Sequence, residues 1–294
     1  MRRHPQFLAY IALLAVCFFW GTTYLGIRMS LETWPPMMLV SLRYILSGGL
    51  MLIGAVVLRV PLPSGRELRN TVLTGLLVLG IGNAALVWAE TWIPSGLAAL
   101  LITMSPFWML GINAVMPRRE HIRPATWLGL LVGLGGAALL VGPGAFAGGW
   151  HSGLMKGFLV LQLGMLGWNS GSLIQRSMPT RAHPIVGGAV QQLAAGLACA
   201  PWALIAGGQV HWSARGVGAL AYLVVFGSIV GYSAFVFAMD RLPVAIVSLY
   251  NYVNPVVAVL LGYLIYGEPF GSREAFAMLI IFLGVAVVKR IETH

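Results

Sequence analysis

Residues 92–108, WIPSGLAALLITMSPFW, lie in register with residues 241–257, RLPVAIVSLYNYVNPVV, at a shift of 149. In that register Pro94 falls on Pro243 and Pro106 on Pro255. Outward from this pair, a shift of 148 lays Trp20 on Trp168, Pro36 on Pro184 and Gly136 on Gly284. The shift stays near half of the 294-residue length through apolar and polar stretches alike, which marks an internal repeat. Paired repeats in a hydrophobic chain are a signature of alternating-access transporters, whose site lies between the halves.

Composition places the chain in a membrane. Hydrophobic residues make up 59% and charged residues 9%, with a mean hydropathy of +0.85. A soluble domain carries about a quarter charged residues. Cys17 and Cys199 both sit inside apolar runs, as small buried hydrophobes do. No C-x-x-C or H-E-x-x-H spacing exists, so no metal site is expected. The net charge of +10 raises the question of nucleic acid, but the basic residues fall between apolar runs and form no stripe. They read as topology signals.

The spacing of apolar runs predicts ten membrane helices, near 7–28, 36–58, 70–91, 95–117, 125–142, 153–177, 184–206, 216–239, 243–266 and 273–290. The first run follows Met1-Arg2-Arg3-His4 and resembles a signal sequence, but its length and its Trp20 and Tyr24 favour a retained helix. Two repeats are expected, 7–142 and 153–290, joined by a glycine-rich linker at 143–152. With the N-terminus inside, the cytoplasmic basic set is Arg2, Arg3, Arg59, Arg66, Arg69, Arg118, Arg119, Arg123, Arg176, Arg181, Arg241, Lys289 and Arg290. The outer set is Arg28, Lys156, Arg215 and Arg273. This asymmetry predicts two cytoplasmic termini. Five spans per half make the repeats inverted. The expected fold is all-α, a multi-pass protein of a bacterial inner membrane.

Several stretches resemble the drug/metabolite transporter superfamily, specifically its EamA type. They are Trp20-Gly21-Thr22-Thr23-Tyr24, Trp34-Pro35-Pro36, Arg43-Tyr44, Ala89-Glu90-Thr91-Trp92-Ile93-Pro94-Ser95-Gly96, Asn251-Tyr252-Val253-Asn254-Pro255-Val256-Val257 and Gly267-Glu268. The likeness is greatest to the subgroup typified by YedA and smaller to YddG-type aromatic amino-acid exporters. It implies a ten-helix fold and transport of small metabolites, usually outward.

The residues supply candidates for the site. Pro106 and Pro255, near the middle of spans four and nine, each free a backbone carbonyl that lipid cannot satisfy, which points to a polar cavity or to inherited kinks. Thr103 and Phe107 flank the first proline. Tyr250, Asn251 and Asn254 flank the second. Amides and hydroxyls among aromatics suit an amphipathic small molecule, although interhelical hydrogen bonding uses the same residues. Trp20 and Trp168 are repeat counterparts, with Asn169 beside the second. Gln162 on span six, Asn83 and Trp88 on span three and Tyr232 on span eight are further candidates, as cavity wall or packing. Arg43 is the basic residue deepest inside a span; it would attract an anionic group or anchor a neighbouring helix. Its counterpart is Gln191. Glu90, among Trp88, Ala89 and Trp92, is a candidate proton carrier or partner for a cationic group, or else an ion-pair partner of Arg28 or Arg43. Gly129, Gly133 and Gly136, with Gly284, form a packing or dimer face.

The leading reading is a secondary transporter, an exporter of amphipathic metabolites such as amino acids or related amines. A lipid or isoprenoid-carrier flippase is the alternative, and a channel a weaker one. An enzyme is not expected, because no nucleophile–base or metal set converges. With no G-x-x-x-x-G-K-[ST] motif, transport draws on gradients or exchange. No cofactor is expected. The partners are a small-molecule substrate and membrane lipid, with the chain a monomer or homodimer.

Overall fold

The computed structural model describes residues 5–115, 128–129, 131–136, 138–139, 153–178, 182–205, 209–242, 247 and 250–292. Among them there is no strand. The helices are α1 (Pro5–Ser30), α2 (Pro36–Val57), α3 (Gly65–Gly75), α4 (Ala84–Ala89), α5 (Ser95–Ile102), α6 (Ser105–Val115), α7 (Gly153–Ser177), α8 (Pro184–Ile205), α9 (Ala214–Tyr222), α10 (Gly231–Arg241), α11 (Tyr250–Tyr266) and α12 (Ser272–Glu292). Two π-helical segments, π1 (Leu76–Asn83) and π2 (Leu223–Val230), join α3 to α4 and α9 to α10. Part of the expected fifth span, the 143–152 linker and most of the start of the ninth span lie outside the described residues.

Among the described residues five helices are long and apolar enough to cross a membrane: Phe7–Ser30, Pro36–Val57, Gly65–Ala89, Pro184–Ile205 and Ala214–Phe235. Their outward faces carry large apolar side chains. Leu14, Val57 and Leu204 are 68%, 73% and 84% exposed. In water such a surface would drive aggregation; in lipid it is the solvated surface.

Local chemistry sets the helix ends. Pro36 stands at the start of α2, where the missing N–H has no partner to lose. The Ser213 hydroxyl accepts from the Gly216 amide and caps α9. Gly267, at φ +60°, ends α11 with its amide donating to Tyr263 and that of Glu268 to Gly262. The Glu268 carboxylate then reaches across to the start of α5. It accepts from the amides of Ser95 (2.9 Å) and Gly96 (3.0 Å) and from the Ser95 hydroxyl (2.8 Å). A carboxylate there satisfies orphan donors and complements the helix dipole.

The expected matched helix breaks are not alike. Pro106 has no N–H to give the Ile102 carbonyl, and α5 ends there. The chain crosses to α6 through tighter bonds, from the amides of Thr103 to Leu100, Met104 to Leu101 and Phe107 to Met104. Pro255 lies inside α11, which runs through it unbroken. Its helix is held against α1 by Asn254. In the orientation its surroundings require, that amide nitrogen donates to the carbonyls of Cys17 (2.9 Å) and Tyr250 (3.1 Å).

Contacts between the halves are reciprocal. The broadest packing joins α2 and α8. A methyl group added at Gly48 would sit 2.7 Å from the Leu193 amide nitrogen and 2.8 Å from the Ala189 carbonyl oxygen. One added at Gly196 would sit 2.7 Å from the Ile45 amide nitrogen and 3.1 Å from the Ser41 carbonyl oxygen. The shift of 148 maps Ser41, Ile45 and Gly48 onto Ala189, Leu193 and Gly196. Each glycine thus lets its helix approach the partner's backbone directly. Gly136 and Gly284 also act inside the fold. A methyl at Gly284 would fall 2.5 Å from the Gly133 amide nitrogen, and one at Gly136 2.8 Å from Ile281 Cγ1.

Candidate substrate site

The same reciprocity recurs where the halves meet around the π segments. Gly82 of π1 lies against Trp168 of α7, and Gly231, just after π2, lies against Trp20 of α1. The shift of 149 relates the two glycines and that of 148 the two tryptophans. A π turn leaves its carbonyls offset from the α-helical ladder. Trp20 uses this offset: its indole N–H donates to the Gly227 carbonyl at 3.1 Å. Its ring meets Phe235 at 5.0 Å and, edge-on, Tyr250 at 5.2 Å. Phe235 and Tyr250 stand 5.8 Å apart, so the three rings form one half-buried aromatic wall.

A second group lies between α6 and α7. Asn169, nearly fully buried, donates to the Ser105 hydroxyl and the Met165 carbonyl, each at 2.8 Å. Trp108 donates to the Gln162 carbonyl oxygen at 2.9 Å. The Gln162 amide nitrogen and the Asn83 amide oxygen are buried without a partner among the described residues. Phe107 packs on the core beside Gly133. Thr103 is buried and donates to the Leu100 carbonyl at 2.6 Å, so its hydroxyl serves the broken helix. Ser105 and Asn254 are counterparts at the shift of 149, and each touches the first helix of the other half.

A third group carries charge. Glu90 is fully buried just after α4, and neither carboxylate oxygen has a hydrogen-bond partner among the described residues. Arg28 donates to the backbone carbonyl of Glu90 at 2.8 Å rather than to its carboxylate. Arg43 is buried; its Nε donates to the Ser228 hydroxyl at 2.9 Å, while one terminal nitrogen has no partner. The expected ion pair between Glu90 and either arginine is not among the described contacts. Tyr24 is buried in the core. The counterpart Gln191 is fully engaged: it donates to Thr74 (3.0 Å) and Gln175 (3.0 Å) and accepts from Tyr232 (3.0 Å).

Most of the expected residues therefore fall into three groups, of which the first and third meet at Gly227 and Ser228. Tyr232 joins the Gln191 network next to Phe235. Asn251 sits half-buried beside Tyr250. Trp88 stands apart, exposed and stacked on Trp92 at a centroid distance of 6.3 Å. Sequence reasoning missed Ser228, Thr74 and Gln175, single polar residues with no motif around them. It also missed both π segments. Their only trace is the glycine pairs Gly80/Gly82 and Gly227/Gly231.

A helical membrane fold built on reciprocal half-to-half contacts, with polar and aromatic groups collected between the halves, defines a transporter class. The sequence model of the EamA-like transporter family matches residues 7–142 and 155–290, and the chain belongs to that family, within the drug/metabolite transporter superfamily. It is 35% identical to the inner membrane transporter YedA of Escherichia coli K12, over 94% of this chain and 89% of that protein. A WAT1-related chloroplast protein of Arabidopsis thaliana is 25% identical over 96% of this chain and 70% of its own length. A solved crystal structure matches with a TM-score of 0.68 at 22% identity, over 97% of this chain and 98% of that one, which shows a shared fold.

Proposed function

We propose that this chain is a secondary transporter that moves small amphipathic metabolites, such as amino acids or related amines, out of the cell by alternating access. It crosses the membrane ten times in two inverted five-helix repeats, 7–142 and 153–290, with both termini in the cytoplasm. Substrate sits between the halves, against Trp20, Tyr250 and Trp168, with Asn251, Asn169 and Gln162 supplying polar contacts. The observation that carries this reading is the exchange of tryptophans. Each half seats the tryptophan of the other against a glycine at its π segment. A pair of equivalent contacts on either side of one site is what a machine with two mirror-related open states needs.

Counterflow in proteoliposomes tests it. Vesicles preloaded with an unlabelled amino acid or amine should take up the labelled form faster than empty ones. Replacing Trp20 or Trp168 by Ala should abolish that gain while the protein still inserts. Uptake insensitive to preloading and linear with concentration would assign a channel instead.

A further inference from the structure

We infer that the end of α11, Tyr266-Gly267-Glu268, is a clasp that shuts one end of the path between the halves and must let go when that end opens. The inference rests on the transporter reading above and names the contact that one open state has to break. The clasp has two prongs, and they hold different helices of the first half. The Tyr266 hydroxyl donates to the Glu32 carboxylate, just after α1. The Glu268 carboxylate accepts from the Ser95 and Gly96 amides and the Ser95 hydroxyl, at the start of α5. Gly267 between the prongs sits at φ +60°, a left-handed turn that glycine takes without strain. With the helix ended there, side chains two positions apart reach two separate helix ends. The end of α1, the start of α5 and the end of α11 thus meet at one face, the outer one on the topology proposed above.

The chemistry of both prongs suits release. Arg215, near the start of α9, braces the first: it lies 3.8 Å from the Glu32 carboxylate and 5.1 Å above the Tyr266 ring. The side chains of Arg215 and Glu32 are 47% and 39% exposed, so water replaces what they lose on parting. Ion pairs placed this way contribute little net stability and open at small cost. Beside the second prong the halves leave space. A cavity of about 200 Å³ lies there, walled by Pro94, Leu97 and Leu100 from the first half and by Val259 and Phe270 from the second. A methyl group added at Gly262 would collide with the Glu268 carboxylate, so that glycine makes room for the prong. The held helices also wall the proposed site. Trp20 on α1 meets Tyr250 on α11 edge-on at 5.2 Å, and parting the ends of these two helices widens the way to that pair.

Two measurements on the full chain test the clasp. In the first, Ser95→Cys and Glu268→Cys are combined with Cys17→Ala and Cys199→Ala, and the pair is oxidised to a disulfide. Counterflow should stop and should return on reduction, while either single cysteine should be indifferent to oxidant. In the second, Leu100→Cys reports opening, because Leu100 lines the cavity and is 2% exposed. Its reaction with a charged thiol reagent, in detergent, should be slow. It should quicken about two- to tenfold when Tyr266→Phe or Glu268→Ala removes a prong. The native Cys199, buried in α8, serves as the reporter of general loosening, and its rate should not change.

Full counterflow with the disulfide formed overturns the clasp. So does a Leu100→Cys rate that neither substitution alters, or one that rises together with the Cys199 rate. Should the cysteine pair not fold or not oxidise, the Leu100→Cys rates decide alone. Absence of counterflow from the unmodified chain sinks the transporter reading instead, and the same rates still decide whether this end opens once a prong is lost.

Discussion

Gly48 and Gly49 are chain neighbours with opposite surroundings. A side chain at Gly48 meets the backbone of α8, while one at Gly49 meets nothing within 4 Å. Gly48→Ala should destabilise the protein by about 1–3 kcal/mol, since backbone cannot step aside. Gly49→Ala should be neutral or stabilising by up to about 1 kcal/mol through helix propensity. Thermal unfolding in detergent separates them, and equal effects would refute the direct backbone approach. Glu268→Ala should cost about 0.5–2 kcal/mol, because three donors at the start of α5 lose their acceptor. Unfolding of the variant beside Arg66→Ala, a change at an exposed residue, checks it. At this scale the sequence was legible by cost. Arg43 and Glu90 stood out because charge inside apolar runs is rare. That Arg28 bonds the Glu90 backbone, and not its carboxylate, depends on the rotation of α1 against α4, and no pattern in one dimension carries that. Glu268 read as a loop residue because its partners lie more than 170 positions away.

The elements show where hydrophobic periodicity stops being informative. Spans one, two, seven and eight were bounded within a few residues by their apolar runs and prolines. The π segments were not, because eight apolar residues satisfy an α and a π ladder equally well until neighbours choose. Trp20→Phe keeps the ring and removes the donor to Gly227. It should cost about 0.5–1.5 kcal/mol and soften the π2 segment. Hydrogen exchange at residues 223–231 would then rise; unchanged exchange would show that the indole N–H is incidental. Pro106 and Pro255 looked equivalent in sequence, yet only the first ends a helix. Pro106→Ala returns an N–H to the Ile102 carbonyl and should join α5 to α6. The expected outcome is a higher unfolding temperature together with slower counterflow. A gain in both would mean that the break takes no part in transport.

For the whole molecule, the repeat was the most legible feature, since a fixed shift of 148 to 149 survives where single motifs fade. The contacts that hold the halves together were not legible, because they depend on helix rotation. The basic-residue asymmetry predicts that a reporter fused after His294 works only on the cytoplasmic side; activity outside would reverse the topology. The α2–α8 crossing carries one more consequence. At Gly48 and Gly196 each helix comes directly against the backbone of the other. Such a contact resists sliding, because the pleated surfaces of both helices would have to climb over one another. It resists a change of crossing angle less, because the points of closest approach stay in register as the helices turn about them. On the alternating-access reading the crossing is then a scissor pin. Whatever spreads the blades on one side of the membrane must draw them together on the other, and no separate signal has to travel between the two gates.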